Sequence, residues 1–287
     1  NLQTDDKRSL GLPKQNYTVG VIQRNIGLSN IGFVMVNKES LGISDFDPTE
    51  FYHETLVKEN IVGSDTIKTL NRYNRVFGVD FNLRGLKSKL RGDMYYHRSV
   101  DAGVDDKNYS FGTFLGYYGR NISVLLGQNG AGENFNAEVG FVPKLGVFSG
   151  YHSGFSRVEG RLFPKSNKIS NMGPFVEINF TNISGWRNRD KTFKAGYKIS
   201  FLNTSAFEVS GENTFQRLVR NFNPVNVDVY DSFLEGQSYE WNRATVSYSS
   251  DQRPQITYKI GGSIGSFYNG TNNNLNGQLS YRFQPYG

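Results

Sequence analysis

The sequence contains no cysteine, few prolines and no long apolar run. With Cys 0 in 287 residues, disulfide scaffolds, thiolate metal sites and cysteine nucleophiles are all excluded. Because no stretch of about 18 apolar residues occurs, the sequence also excludes a transmembrane helix. The three histidines, His53, His97 and His152, lie far apart in sequence and give little support to a zinc site. We therefore expect neither a metal nor another cofactor.

Charge of one sign is not concentrated anywhere in the chain. Lys and Arg number 32 against 26 Asp and Glu, so the net charge is +6, without any long basic block. A nucleic-acid surface needs basic side chains clustered on one face. The sequence therefore predicts no nucleic-acid partner.

Aromatic residues and glycine are abundant, with 17 Tyr, 22 Phe and 32 Gly. The mean hydropathy is nevertheless low, at −0.51. A membrane β-barrel has this profile because half of each strand faces water. A soluble all-β sandwich or barrel has it too, so composition leaves both classes open.

The stretch from Phe193 to Phe201 shows a strict alternation of apolar and polar residues. Odd positions such as Tyr197 are apolar, whereas Lys194 and Lys198 occupy even positions. Successive side chains of a strand point to opposite faces, so this strand has one apolar face and one wet face. The two lysines exclude burial on both sides, and the apolar face must contact either another sheet or lipid.

Similar alternation recurs in about thirteen segments, many of roughly ten residues, the length that crosses a membrane at a tilt. Short turns alternate with longer connections, an asymmetry typical of outer-membrane barrels. Short turns are predicted at Ser29-Asn30, Gly85, Asn121 and 203–205, and longer connections at 41–72, 99–107, 218–236 and 266–272. We therefore predict an all-β fold: an antiparallel transmembrane β-barrel of about 14 or more strands.

Residues 1–15 are polar and are interpreted as an approach segment or linker, and residues 16–287 as the barrel domain. Within the first long connection, residues 48–60 predict a short helix because a proline stands near its start. Trp186 and Trp241 are expected to belong to aromatic girdles at the membrane interface.

The polar positions of the strands are predicted to face a lumen. Lys194 and Lys198 are expected to meet Glu208 and Glu212 across a hairpin and to pair with them, although two carboxylates on one face could also serve as an acid/base pair. The predicted lumen-facing residues are Asp80, Asn82, Glu177, Lys194, Lys198, Glu208, Glu212, Arg243, Lys259 and Arg282.

A polar motif, Asn134, Asn136 and Glu138, permits two interpretations. Its side chains could enter the lumen as a plug or ligand contact. Alternatively, the asparagines could satisfy backbone groups in a structural turn. Two acidic stretches, 45–50 and 101–106, offer oxygen ligands but lack the spacing of a calcium loop, which favours solvated loops.

Three stretches carry a family resemblance: Asn-Tyr-Thr-Val at 16–19 with Gln-Arg-Asn-Ile-Gly at 23–27 and Ser-Asn-Ile-Gly at 29–32, residues 74–84, and residues 132–144. The third, Gly-Glu-Asn-Phe-Asn-Ala-Glu-Val-Gly-Phe-Val-Pro-Lys, is the most specific. Together they resemble the C-terminal outer-membrane β-barrel region, a domain of unknown function, of Bacteroidota proteins that usually carry an N-terminal family-9 carbohydrate-binding-like domain.

The resemblance spans most of residues 16–287 and implies the bacterial outer membrane, with lipid and other envelope proteins as partners. The resemblance covers the barrel region alone, so a sugar function tied to the carbohydrate-binding-like domain is not carried over. The family barrel continues beyond a segment like Tyr-Arg-Phe-Gln-Pro at 281–285, which implies an incomplete barrel. The family offers no established activity and no catalytic residues to transfer.

Two functions remain open on this basis. The first is an outer-membrane β-barrel without catalytic activity that acts as a pore, a scaffold in an envelope complex or the anchor of a missing domain. The alternative is a carbohydrate-binding or carbohydrate-processing all-β protein, which would contact a glycan through connections 41–72 and 218–236.

Overall fold

A computed structural model describes residues 1–6, 13–42, 57–62, 65–70, 72–101, 104–139, 150–184, 187–223 and 233–283. The strands are β1 (Leu2–Thr4), β2 (Lys14–Ile26), β3 (Ser29–Leu41), β4 (Val57–Val62), β5 (Asp65–Leu70), β6 (Tyr73–Gly85), β7 (Leu90–Asp101), β8 (Tyr109–Tyr118), β9 (Ile122–Ala131), β10 (Tyr151–Gly160), β11 (Ile169–Ile183), β12 (Arg187–Phe201), β13 (Ala206–Arg217), β14 (Ser238–Ser249), β15 (Ile256–Phe267) and β16 (Gly270–Tyr281). None of the described residues belongs to a helix long and apolar enough to cross a membrane.

Fourteen strands form one antiparallel sheet that follows the order of the chain, and β4 and β5 form a separate hairpin. The predicted all-β fold of about 14 antiparallel strands is therefore confirmed. Leu2–Thr4, in the segment interpreted as a linker, pairs with β2 and belongs to the sheet.

The chain divides into two compact units. Unit 1 comprises Asn1–Phe114 and Gln128–His152, and unit 2 comprises Leu115–Gly127 and Ser153–Gly287.

The predicted alternation of short and long connections is broken at three places. Eight residues, 161–168, join β10 to β11, and three, 184–186, join β11 to β12. β15 and β16 are joined by the two residues 268–269, so the longer connection predicted at 266–272 is wrong. Tyr268 takes a positive φ of 52° there, the left-handed conformation that a turn this tight requires. Residues 57–60, predicted as the end of a helix, belong to β4, and the remainder of that helix lies outside the described residues.

Unit 2 has an apolar face on β11–β16. Tyr197 lies opposite Val209, which lies opposite Val246, so these side chains form one row across three strands. Val209 is 42% exposed and Val246 is 45% exposed, and Leu275 on β16 reaches 82%. The apolar face therefore has no protein layer over it within the described part of unit 2.

The opposite side of the same strands is the polar face of unit 2. Lys194 lies opposite both Glu177 and Glu212, Lys198 lies opposite Glu208, and Glu212 lies opposite Arg243. The register confirms that the lysines of β12 meet the glutamates of β13 across the hairpin. Because side chains alternate, the same register places the apolar row on the other side.

Unit 1 repeats this arrangement. Phe33 on β3 pairs with Val79 on β6, and the two side chains are 44% and 46% exposed. On the other side, Lys38, Asn74 and Asp101 stand side by side across three strands. These three polar residues are almost completely buried, at 3%, 0% and 3% exposure. Something within unit 1 must therefore cover them and satisfy their polar groups.

Candidate functional site

A series of ion pairs lies across the polar face of unit 2, from β10 to β14. Arg157 on β10 lies 3.2 Å from Glu159 through Nη2 and pairs with Glu177 through Nη1. Lys194 Nζ lies 3.3 Å from Glu208 Oε1, with side chains 25% and 28% exposed.

The last ion pair of this series is formed by Arg243, whose Nη1 lies 3.5 Å from Glu212 Oε1. Both predicted carboxylates of the possible acid/base pair, Glu208 and Glu212, are therefore engaged by cations. This arrangement favours the predicted charge pairing over acid/base chemistry.

Phe175 on β11 lies at the centre of these charges and is only 1% exposed. The guanidinium of Arg157 lies 4.6 Å from the ring centroid and Lys194 Nζ lies 5.3 Å from it. Cations above an aromatic ring are attracted by its quadrupole, so the ring helps to fix both charged side chains. Neither Phe175 nor Arg157 is among the predicted site residues.

Gly196 on β12 makes room for this ring. A Cβ at Gly196 would lie 2.6 Å from Phe175 Cζ and 2.5 Å from the Val209 carbonyl oxygen. We expect Gly196→Val to destabilise the folded protein by about 1–3 kcal/mol, because extra atoms in a packed site force other groups to move. Chemical unfolding in detergent or lipid measures the loss.

Gly211→Val on the neighbouring strand is the matched control. A Cβ added at Gly211 would meet no other atom within 4 Å, and valine suits an exposed apolar strand position. This variant is expected to keep its stability. Equal losses at the two glycines would contradict the packing of Phe175 against Gly196.

The remaining predicted lumen-facing residues lie at separate places. In unit 1, Asp80 Oδ1 lies 3.2 Å from His97 Nε2, and the Asn82 amide donates to Asn30 at 3.0 Å. In unit 2, Lys259 lies opposite Ser249 and Gln278. Arg282 follows β16 and its Nη2 donates to the Gln252 carbonyl at 3.5 Å, so it contacts a connection rather than the ion pairs. That these polar faces border a lumen stays a prediction.

Residues 132–139, the docking segment, cover the buried polar row of unit 1. Lys38 Nζ pairs with Glu138 Oε2, and these side chains are only 4% and 11% exposed. The backbone N–H of Glu138 donates to Asn74 Oδ1 at 3.1 Å. Asn74 Nδ2 in turn donates to Asp101 Oδ1 at 2.9 Å and to the Asn136 carbonyl at 3.0 Å.

Asn136 makes the remaining hydrogen bonds between the docking segment and the sheet. Its backbone N–H donates to Ser99 Oγ at 3.1 Å, and its amide donates to Asp101 Oδ1 at 3.4 Å and to Glu138 Oε1 at 3.3 Å. Each of the buried groups Lys38, Asn74 and Asp101 thus has a partner, as buried polar groups require. Asn136 and Glu138 therefore dock the segment onto the sheet.

Asn134 plays a more local role at the exposed end of the docking segment. Its amide donates to the backbone carbonyl and to Oδ1 of Asp106, both at 3.1 Å. Glu133 lies beside it and accepts from Lys107 Nζ at 2.8 Å. The turn interpretation therefore describes Asn134, whereas Asn136 and Glu138 contact the polar row of the sheet. That they enter a lumen as a plug or ligand contact stays a prediction.

Six aromatic rings form a cluster at the end of unit 2 from which the β13–β14 connection leaves. Tyr268 lies at its centre, 5.0 Å from the Phe233 ring and 5.1 Å from the Trp241 ring, and its hydroxyl donates to Gln216 at 2.6 Å. The members of this aromatic cluster are Phe222, Phe233, Tyr239, Trp241, Phe267 and Tyr268.

The aromatic cluster corrects the prediction for Trp241. This residue lies two positions from Arg243, on the polar face, and is only 6% exposed, so it belongs to no girdle facing lipid. Its partners stack or meet edge to face with one another, which leaves Trp241 little free ring surface for stacking on a sugar. Trp186 lies outside the described residues.

The histidines that the structure describes are separate from one another. His97 pairs with Asp80, and His152 Nε2 lies 3.2 Å from Gln128 Oε1. Across the described ranges, no group of three or more histidines and carboxylates is arranged to hold a metal ion. The third histidine, His53, and the acidic stretch 45–50 lie outside those ranges.

Comparison with known proteins returns no match of any kind. No family model matches the chain, no curated protein resembles it significantly, and no solved structure matches its fold significantly. Its function must therefore be argued from the two faces of the sheet and from the contacts on them.

Proposed function

We propose that the chain is a non-catalytic β-sheet protein of the outer-membrane barrel class, embedded in the bacterial outer membrane. The observation that carries this proposal is the uncovered apolar face of strands whose other face holds paired charges. In water, an apolar surface of this extent is unfavourable unless a partner or a membrane covers it. Lipid is the partner that accepts a whole face of alternating strands.

Strand length supports the same proposal. The strands β13–β16 each have 12 residues, and β11 and β12 have 15. A strand of 12 residues at about 3.3 Å per residue, tilted by about 45°, rises about 28 Å. This rise is close to the thickness of the hydrocarbon core, about 30 Å.

The two ends of the apolar face differ in chemistry from its middle. Towards the β12–β13 and β14–β15 turns it carries aromatic residues, with Phe207 opposite Tyr248 and the Tyr248 ring 6.1 Å from Tyr258. Towards the other end, Asn213 lies opposite Asn242 and donates to its side-chain oxygen at 3.0 Å. An aromatic border beside an apolar band is typical of a membrane interface.

The contacts on the polar faces favour an anchor or scaffold over a wide pore. The ion pairs of unit 2 satisfy each other, and the docking segment occupies the polar row of unit 1. Because these charged side chains pair with one another, few of them are left to bind a permeating solute.

Purification with and without detergent tests the membrane proposal. The full chain is expected to fold and stay monodisperse only in detergent or lipid, because the apolar face aggregates in water. A chain that is folded and monodisperse in detergent-free buffer would overturn the proposal. Planar-bilayer recording then separates the roles: an anchor or scaffold gives no large steady conductance, whereas an open pore does.

A further inference from the structure

Three short connections of unit 2 border a cavity of about 550 Å³. They are residues 161–168, 202–205 and 250–255, which join β10 to β11, β12 to β13 and β14 to β15. The volume lies within the range of pockets that hold small molecules. Its wall combines apolar and polar side chains: Phe201, Leu202, Tyr248, Lys168, Asn203 and Arg253.

Hydrogen bonds between these connections hold the cavity in shape. The Leu202 backbone N–H donates to the Lys168 carbonyl at 2.8 Å, which ties the first connection to the second. Thr204 Oγ1 donates to Asp251 Oδ1 at 2.9 Å and accepts from the Gln252 backbone N–H at 2.9 Å, which ties the second to the third. A cavity organised before binding loses less entropy when a ligand enters.

Arg253 is held at the rim by Asp251. Arg253 Nη2 donates to Oδ2 at 3.0 Å and Nε donates to Oδ1 at 3.1 Å. Side-chain and backbone hydrogen bonds from Arg253 lower the pKa of Asp251 to about 2, so this carboxylate stays charged at neutral pH. The two-point contact fixes the plane of the guanidinium and leaves other N–H groups to donate to a ligand.

Lys168 supplies a second cation on the neighbouring connection. It is exposed, and it makes no ion pair within the ranges that the structure describes. With Lys168 and Arg253 opposed by Asp251 alone, these three groups carry a net charge of about +1 at neutral pH. This balance suits a ligand with one negative charge.

The apolar part of the cavity wall continues into the apolar face. Tyr248 lies on that face opposite Phe207. Phe201 and Tyr197 both occupy odd positions of β12, so Phe201 lies on the apolar face as well. Leu202 is 54% exposed at the start of the turn. A ligand in this cavity therefore meets cations at one end and lipid-like surface at the other, which is the polarity of an amphiphile.

We propose that this cavity binds the phosphate of an anionic phospholipid, with the acyl chains along Phe201 and Tyr248. This inference rests on the proposed membrane function, which places this end of the strands of unit 2 at a membrane surface. Lys168 and Arg253 donate to the phosphate oxygens, and the polar edge of the wall at Asn203 contacts the glycerol region. The protein would thereby retain a phospholipid of the adjoining leaflet at a defined position.

Native mass spectrometry of the full chain in detergent, titrated with phosphatidylglycerol or phosphatidylcholine, tests this proposal. We expect phosphatidylglycerol to be retained preferentially, and Lys168→Ala to weaken its binding about fivefold, the effect of one cation near a lipid surface. Arg253→Ala should have a similar effect. Lys165→Ala removes an exposed cation from the same connection outside the cavity wall and should change binding little.

Arg253→Lys separates lipid binding from a merely structural role of Arg253. It keeps the positive charge at the rim but loses the two-point contact with Asp251, so binding of phosphatidylglycerol should fall less than in Arg253→Ala, whereas a purely structural pair would make the two variants lose binding alike. Millimolar inorganic phosphate should not displace the lipid; displacement would identify a free-phosphate site and overturn the proposal.

Failure of this inference is distinguishable from failure of the membrane proposal. A chain that requires detergent but shows no preference for phosphatidylglycerol, or a preference that Lys168→Ala and Arg253→Ala leave unchanged, overturns the lipid site alone. A chain that is monodisperse without detergent overturns both proposals.

Discussion

Val246→Arg is expected to lower the stability of the protein in a bilayer by about 2–4 kcal/mol, the cost of an arginine on the lipid face near the middle of the membrane. Val246 lies on the apolar face between its two ends on β14, Asn242 and Tyr248, and is 45% exposed. The guanidinium would replace an apolar contact with lipid by an unsatisfied charge. Reversible urea titration in phosphatidylcholine vesicles measures the difference.

The control is the same substitution at the next residue. Ser247 lies on the polar face opposite Glu208, so Ser247→Arg gains an acidic neighbour and should cost less than about 1 kcal/mol. Because both variants share the strand, the charge and the size, only the face differs. Equal losses, or a larger loss at Ser247, would contradict the assignment of the apolar face to lipid.

Lys38→Met is expected to destabilise the protein by about 3–5 kcal/mol, because it leaves the carboxylate of Glu138 buried without its cation. The two side chains are 4% and 11% exposed, so solvent screens this charge poorly. The double variant Lys38→Met/Glu138→Leu should recover most of the loss, since two apolar groups can replace a buried ion pair at little cost. Chemical unfolding of the three proteins gives the comparison.

Lys107→Met provides the matched control at the other end of the docking segment. Lys107 pairs with Glu133 at 2.8 Å, but its side chain is 53% exposed. Removal of this exposed partner should cost at most about 1 kcal/mol. If Lys38→Met were as mild as Lys107→Met, the docking segment would not be held by the buried pair.

The strands and their two faces can be predicted because residues at odd and at even positions of a strand lie on opposite faces of the sheet. The alternation at Phe193–Phe201 reports on one strand alone, and it identifies the correct sides for Lys194 and Lys198. The tight turn at 268–269 is harder to predict because Asn272 and its neighbours have turn-like composition, yet they extend β16. At this site, pairing between β15 and β16 outweighs the local preference of these residues for a turn.

The contacts between distant segments could not be predicted from local pattern. Glu138 meets Lys38 across 100 residues of sequence, and nothing in the spacing of either residue indicates the other. Arg157 contacts Glu177 and the Phe175 ring, and its own surroundings in the sequence indicate neither contact. Trp241 differs in one respect: its position two residues from Arg243 already indicates the polar face, whereas its ring contacts in the aromatic cluster follow only from the structure.

A cysteine scan of β14 tests most directly whether one face of these strands contacts lipid, as we propose. Because the natural chain has no cysteine, single cysteines at positions 243–249 can each carry a spin label without background. In bilayers, labels at Ala244, Val246 and Tyr248 should be accessible to oxygen, and labels at Thr245 and Ser247 should not. Uniform access of a water-soluble nickel chelate along the strand, or alternation of the opposite phase, would contradict it.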